Sequence, residues 1–204
     1  MKIGMILDAI YPSDARVTNE CEELIKNGHE VYLFCLSYQK NYIKSEIIND
    51  IKVRRYYCSS LTYKLSALAN DFPLYSILMK SKIKDFVLNN KIDRMHIHDI
   101  QIAKAAVGVC NKYKLKYNLD LHENRHEIMK SYKHVNSFLG KLLISIKRWK
   151  KAEEEYISKA EKVIVVTHQA KKEIIERCKI SNDNVVVYPN TCLLYTSDAA
   201  DDQA

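Results

Sequence analysis

The chain has 204 residues, 47% of them hydrophobic and 28% charged, the balance of one soluble globular domain with at most a fragment of a second. That balance excludes a disordered chain, a collagen-like repeat and a membrane bundle, and four Gly with three Pro are too few for the turns of an all-β sandwich. The net charge of +7 suits an acidic partner, whether nucleic acid, anionic lipid or a phosphorylated substrate, without choosing among them.

Residues 2–7 form a short apolar run and a first strand. After the Pro12-Ser13-Asp14 breaker, Val17, Cys21, Leu24 and Ile25 recur at helical spacing until Gly28 ends the helix. Residues 31–36 read as a second strand and 51–57 as a third, separated by a polar excursion rich in Lys and Asn. Helical patterning covers 61–69 and 74–88, with Pro73 placed just inside a helix start. In residues 94–98, a fourth strand, Met95 and Ile97 alternate with His96 and His98, and Asp99 occupies the N-cap position of the next helix. His96 is expected on the side of the sheet away from His98. Residues 117–121 are a fifth strand, followed by a polar loop and one long basic helix over about 137–159. An apolar strand at 163–166, a helix marked by Ala170, Ile174, Ile175 and Cys178, and a strand at 185–188 complete the series.

Strands alternating with helices predict an α/β fold, a Rossmann-like parallel sheet with helices on both faces. Ligands of such sheets bind beyond the carboxyl ends of the strands. The first ten residues do not read as a secretory signal, and no stretch reaches the length of a membrane span. Cys21, Cys35, Cys58, Cys110, Cys178 and Cys192 stand singly, without Cys-x-x-Cys pairs or His at zinc spacing, as in a cytoplasmic protein with reduced thiols and no metal site.

The strand ends carry the chemistry. No Gly-x-Gly-x-x-Gly fingerprint or Gly-Lys-Ser/Thr loop exists, which argues against a dehydrogenase or an ATPase. A phospho-acceptor receiver needs paired acids after its first strand, where Asp8 stands alone. What the topology gathers instead is Asp14 and Arg16 in the first loop, His98 and Asp99 after the fourth strand, and His122 and Glu123 after the fifth. An imidazole exchanges protons near neutrality and Arg holds phosphate or carboxylate, so the set suits a hydroxyl-rich acceptor. Asp99 reads equally well as a helix cap.

The ordered segments Asp14-Ala15-Arg16-Val17, Gly28-His29-Glu30-Val31, His96-Ile97-His98-Asp99, Asp120-Leu121-His122-Glu123, Ala160-Glu161-Lys162-Val163 and Val187-Tyr188-Pro189-Asn190 resemble the acceptor-side half of glycosyltransferase family 4. The resemblance implies the GT-B architecture of two Rossmann-like domains facing a cleft. It also implies a retaining transfer from a nucleotide-sugar to a saccharide or lipid-linked acceptor, with no cofactor and no essential metal, and His122 as the acceptor-contacting histidine. Asp8-Ala9-Ile10-Tyr11-Pro12 replaces the glycine-rich loop that many members carry after the first strand. The family's donor-binding domain, with its Glu-x7-Glu signature, is expected after Pro189-Asn190 and is absent. Residues 1–190 are thus read as the acceptor-side domain, inactive alone, and residues 191–204 as a tail. From about Cys192 that tail resembles translated sequencing-adapter read-through; without its three Asp the charge of residues 1–190 is +10.

Lys141, Lys147, Arg148, Lys150 and Lys151 interleave with Leu142, Leu143, Ile146 and Trp149 at helical spacing. A membrane-surface helix is one reading, with Lys147, Arg148, Lys150 and Lys151 on anionic lipid and Trp149 in the interface, at the inner face of the cell membrane. A core-packed helix with a solvated charged face is the other, and Glu153, Glu154 and Glu155 restore the charge balance that favours it. The scattered tyrosines do not make a nucleic-acid surface. A role in cell-envelope polysaccharide synthesis is the leading expectation. Its rivals are another GT-B enzyme, such as a nucleotide-sugar epimerase, and a non-catalytic peripheral membrane or scaffold module.

Overall fold

The computed structural model describes residues 1–189, the side chains of residues 133, 134, 139 and 141 excepted. Asn190 of the last motif and the expected tail at 191–204 lie outside the described residues.

A sheet of eight strands runs through the molecule in the order β3-β4-β2-β1-β5-β6-β7-β8. The strands are β1 (Lys2–Ile6), β2 (Glu30–Ser37), β3 (Ser45–Ile48), β4 (Ile51–Tyr57), β5 (Arg94–His98), β6 (Lys116–Leu121), β7 (Lys162–Val165) and β8 (Val185–Val187). All pair in parallel except β3, which is antiparallel to β4. The expected sheet is therefore correct in class but lacked β3, which lies in the polar excursion. Its hairpin closes through Asn49 and Asp50, both with positive φ, the backbone that a two-residue turn between twisted strands requires.

Both faces of β2 are covered, so seven of its eight residues are buried and its sequence is a continuous apolar run rather than an alternating one. On one face α1 (Ala15–Lys26) lays Val17 and Cys21 on Met5, Leu33, Cys35 and Val53. On the other, α3 (Leu74–Asn90), α4 (Ile100–Tyr113) and α8 (Ile146–Lys159) enclose Phe34, Phe86, Met95, Ile97 and Trp149. Gly4 lets α3 approach β1: a Cβ there would meet Ile92 Cγ2 at 2.9 Å and Phe86 Cε1 at 3.0 Å. Gly28, at φ +79°, ends α1 with Gly28 N–H donating to Ile25 O at 2.9 Å and His29 N–H to Leu24 O at 3.1 Å. That pair of bonds defines a Schellman cap, and it explains why glycine stands there.

Two helical expectations need correction. The stretch 61–69 divides into α2 (Ser60–Lys64) and a 3-10 turn at Leu65–Leu68. The long basic helix is likewise broken. After the short α5 (Arg125–Ile128) and α6 (Lys133–Asn136), α7 (Phe138–Leu143) ends at Ile144, and Ser145 caps α8 by accepting from Arg148 N–H. The last helix, α9 (His168–Cys178), follows β7 and is capped by Thr167.

Strand order reverses at β1, whose neighbours β2 and β5 lead to opposite edges. In sheets of this kind ligands bind at such a reversal, beyond the carboxyl ends of the strands, and Asp8, His98 and Asp99 lie at or just past the ends of β1 and β5.

Candidate active site

Sheet register builds the site. His98, the last residue of β5, sits directly opposite Asp120 on β6, and both side chains are fully buried. His98 Nδ1 lies 3.1 Å from Asp120 Oδ2 and 3.2 Å from His122 Nε2. His122, two residues beyond Asp120 and so on the same side of the chain, places Nε2 3.1 Å from the same Asp120 oxygen. Its side chain keeps 17% exposure, which leaves it at the rim rather than inside.

Arg16 reaches this group from the first turn of α1. One end of the guanidinium donates to Asp120 Oδ1 and Nε donates to Glu20 Oε1 at 3.0 Å, one helical turn on. The Tyr188 ring lies against it, 5.7 Å from Cζ, so the segment after β8 also joins the site. Asp120 is thus held by a guanidinium and two imidazoles. Burial acts to raise its pKa, but the hydrogen bonds and charges of His122 and His98 outweigh burial and keep the carboxyl well below the usual carboxylate range. For His122 burial acts to lower the pKa, while Asp120 and Asp99 more than offset it, so the imidazole holds its proton above the ordinary range.

Asp99 follows with φ 68° and ψ 150°, a region almost reserved for glycine. Its N–H donates to Asp120 O at 3.0 Å, which ties this strained residue to the same strand. The expected cap is corrected here: Asp99 stands at the N-cap position of α4, but its side chain makes no capping hydrogen bond. Burial raises its pKa, against the pull of His122, His98 and Arg125.

The remaining sequence-derived residues fall elsewhere. Asp14 is the cap of α1, accepting from Arg16 N–H at 3.0 Å and Val17 N–H at 3.3 Å; it serves the site by anchoring the turn that carries Arg16. Glu123 points outward and pairs with Arg125 at 3.2 Å. His96 is not on the far side of the sheet, since residues two apart on a strand share a face. Its ring lies 4.8 Å from that of His98 and its Nε2 3.2 Å from Glu20 Oε2. Trp149 is 2% exposed and donates from Nε1 to Asp71 Oδ2 at 2.9 Å, so it is a core residue and not an interfacial wedge. Lys147, Arg148, Lys150 and Lys151 are exposed, with Arg148 paired to Asp71 at 2.9 Å.

Residue-by-residue reading missed Glu20, Asp120 and the Asp8–Tyr75 pair. Glu20 was signalled by its four-residue spacing from Arg16, and Asp120 by its two-residue spacing from His122. Asp8, two residues past β1, accepts from the Tyr75 hydroxyl of α3. Burial pushes its carboxyl up to about 7, with Asp99 adding and Tyr75 restraining the rise. A carboxyl with a raised pKa, an imidazole pair and an anchored guanidinium therefore stand at the carboxyl ends of β1, β5 and β6 and the start of α1. Such a set binds hydroxyls and an anionic group and can move a proton between them. Glu20, His96, His98 and Asp120 further form a cluster in which a ligand atom from each lies within 4.8 Å of the others.

The layer with its rim of polar groups is an α/β domain of the GT-B class, as its structural likenesses show. Sucrose-phosphate synthase (tll1590) from Thermosynechococcus elongatus is similar with a TM-score of 0.65 at 14% identity, over 93% of this chain and 48% of that one. The apo lipopolysaccharide outer core galactosyltransferase WaaB matches with a TM-score of 0.57 at 17% identity, over 96% and 47%. UDP-GlcNAc 2-epimerase from Methanocaldococcus jannaschii matches with a TM-score of 0.54 at 12% identity, over 92% and 45%. The chain spans about half the length of each. No curated protein matches it. The profile described as Glycosyltransferase Family 4 matches residues 15–192, and the chain belongs to that family.

Proposed function

We propose that this chain supplies the acceptor-side half of an enzyme that transfers a sugar from a nucleotide-sugar donor to a saccharide or lipid-linked acceptor, with retention, in cell-envelope polysaccharide synthesis. The observation that carries the reading is the convergence of Arg16, His98, Asp120 and His122 at the carboxyl ends of β5 and β6, within a family match that spans all four residues. His122 is the residue exposed to an incoming hydroxyl. Asp120 holds its Nε2 and fixes the ring, while Arg16 and Glu20 fix Asp120 from behind.

In this reading the donor is bound by a second domain across the cleft, so residues 1–190 alone do not turn over. Charge at the reacting centre is handled by the donor's own phosphates and by protein donors, without an essential metal or cofactor. The reaction belongs in the cytoplasm, where nucleotide-sugars are made; among the described residues no helix is long and apolar enough to cross a membrane. The similarity to an epimerase supports a second reading, nucleotide-sugar epimerisation on the same fold. The peripheral-membrane or scaffold alternative loses its wedge with Trp149 in the core.

The test is His122→Ala in the full-length enzyme, assayed with a panel of nucleotide-sugars and product analysis. Loss of transfer by about 10²–10⁴-fold, with an unchanged melting temperature, is the expected result. Wild-type turnover removes His122 from the site, and an isomerised nucleotide-sugar as the only product selects the epimerase reading.

A further inference from the structure

Beneath α1, three buried atoms face one another without a hydrogen-bond partner: Glu20 Oε2, His96 Nε2 and His98 Nε2. Their side chains are 9%, 10% and 0% exposed. Glu20 Oε2 lies 3.2 Å from His96 Nε2 and 4.0 Å from His98 Nε2. Three buried polar atoms without hydrogen-bond partners are unfavourable. A proton shared between Glu20 and His96 would satisfy the shorter contact, but it leaves His98 Nε2 with nothing.

A single cation among them would give all three a partner, since ligand atoms of the cluster lie within 4.8 Å of one another. Bonds of about 2.0–2.1 Å at tetrahedral angles set neighbouring ligand atoms about 3.4 Å apart, a spacing that 3.2 and 4.0 Å bracket. The surrounding bonds prepare the ligands for that task. His98 Nδ1, 3.1 Å from Asp120 Oδ2, donates there and leaves its Nε2 lone pair toward Glu20, the carboxylate-to-imidazole relay that orients metal-binding histidines. Arg16 Nε binds the other Glu20 oxygen at 3.0 Å, which aims Oε2 inward. His96 and His98, two residues apart on β5, present their rings on one face. Glu20 and His96 also line an open groove beside α1 with Asn118 and Tyr188, which gives an ion a way in.

We propose that Glu20, His96 and His98 bind one divalent transition-metal ion, Zn²⁺ in preference to Mg²⁺ or Ca²⁺, with Asp120 orienting His98 and a fourth position open to the groove. Two imidazoles with one carboxylate form a borderline donor set that selects zinc, copper, nickel or cobalt over the hard alkaline-earth ions. The site shares His98, Asp120 and Glu20 with the proposed acceptor site, but metal binding is read directly, so its test does not depend on transfer.

The test uses the full 204-residue chain, stripped with chelator and titrated with Co²⁺. One equivalent should produce the strong visible absorption of four- or five-coordinate Co²⁺, displaced by one equivalent of Zn²⁺ and untouched by millimolar Mg²⁺. His96→Gln and Glu20→Gln should each weaken binding by at least tenfold, while His168→Gln, on the exposed start of α9, should leave it unchanged. X-ray absorption of the Zn²⁺-loaded wild-type chain needs no variant to fold, and should show two imidazoles and no sulfur. No Co²⁺ bands, binding indifferent to His96→Gln, or sulfur in the coordination shell would each overturn the proposal.

Discussion

Arg16 and Asp120 are separated by 104 residues in sequence and joined by a fully enclosed ion pair. The guanidinium comes from the first turn of α1 and the carboxylate from β6, the fifth strand after that helix in chain order. Their meeting fixes the relation between the loop after β1 and the rim of β6, and thereby the position of His122.

Removing one partner of such a pair leaves the other charged and buried. Arg16→Met is expected to cost about 3–5 kcal/mol of stability. Arg16→Lys should recover little, because one ammonium cannot bridge Glu20 and Asp120 as the guanidinium does. Combined with Asp120→Asn, urea unfolding should reveal a coupling of at least about 1 kcal/mol. Simple additivity would mean that the two charges do not depend on each other.

Asp8 gives a pH signature. Its folded pKa of about 7 lies above the unfolded value of 3.8, so the folded state binds the proton more tightly. The stability this contributes is complete below about pH 4 and is lost as pH rises through 7, by on the order of 4 kcal/mol at most. Asp8→Asn, still able to accept from Tyr75, should flatten that decline. Urea midpoints measured from pH 4 to pH 8 check it; parallel curves for the two proteins would show that Asp8 does not titrate there.

Asp99 stores strain. With φ 68° and ψ 150°, it occupies backbone space that costs a non-glycine residue about 1–3 kcal/mol. Asp99→Gly should therefore raise the melting temperature, and transfer by the intact enzyme should fall because the carboxylate beside His98 and His122 is gone. A variant both less stable and fully active would contradict both halves of this expectation.

Trp149 reports on the membrane question, being the chain's one tryptophan. With the ring in the core and Nε1 on Asp71, its emission should be blue-shifted and unmoved by anionic vesicles. Asp71→Ala should cost on the order of 3 kcal/mol, because Ser145 N–H, Arg148 and Trp149 all donate to that carboxylate. An emission shift on adding vesicles would return Trp149 to the interface.

Much of the fold was legible because its signals are local. Continuous apolar runs announce β2 and β7, helical spacing announces α1 and α9, and Gly28 marks a helix end that its positive φ requires. The signals that went unread were also local. Asn49-Asp50 is a hairpin turn, Ser145 a second helix cap, and the two-residue spacing of His96 and His98 already places both on one face. β3 hid because an edge strand exposed on alternate residues need not be apolar. The site was legible only in part, since the types of Arg16, His98 and His122 mark them as chemical while nothing local marks their partners.

By itself the amino-acid order determined the alternation of strands and helices, the rim on which polar groups would gather and the family to which the chain belongs. Periodicity, capping and motif order act over a few residues and survive without the fold. Which groups touch was decided only in three dimensions. The β5–β6 register sets His98 against Asp120, and the crossing of α1 over the sheet brings Arg16 and Glu20 to them. Those contacts depend on packing between segments remote in sequence, and in the buried site charge and proton affinity follow from neighbours rather than from residue type.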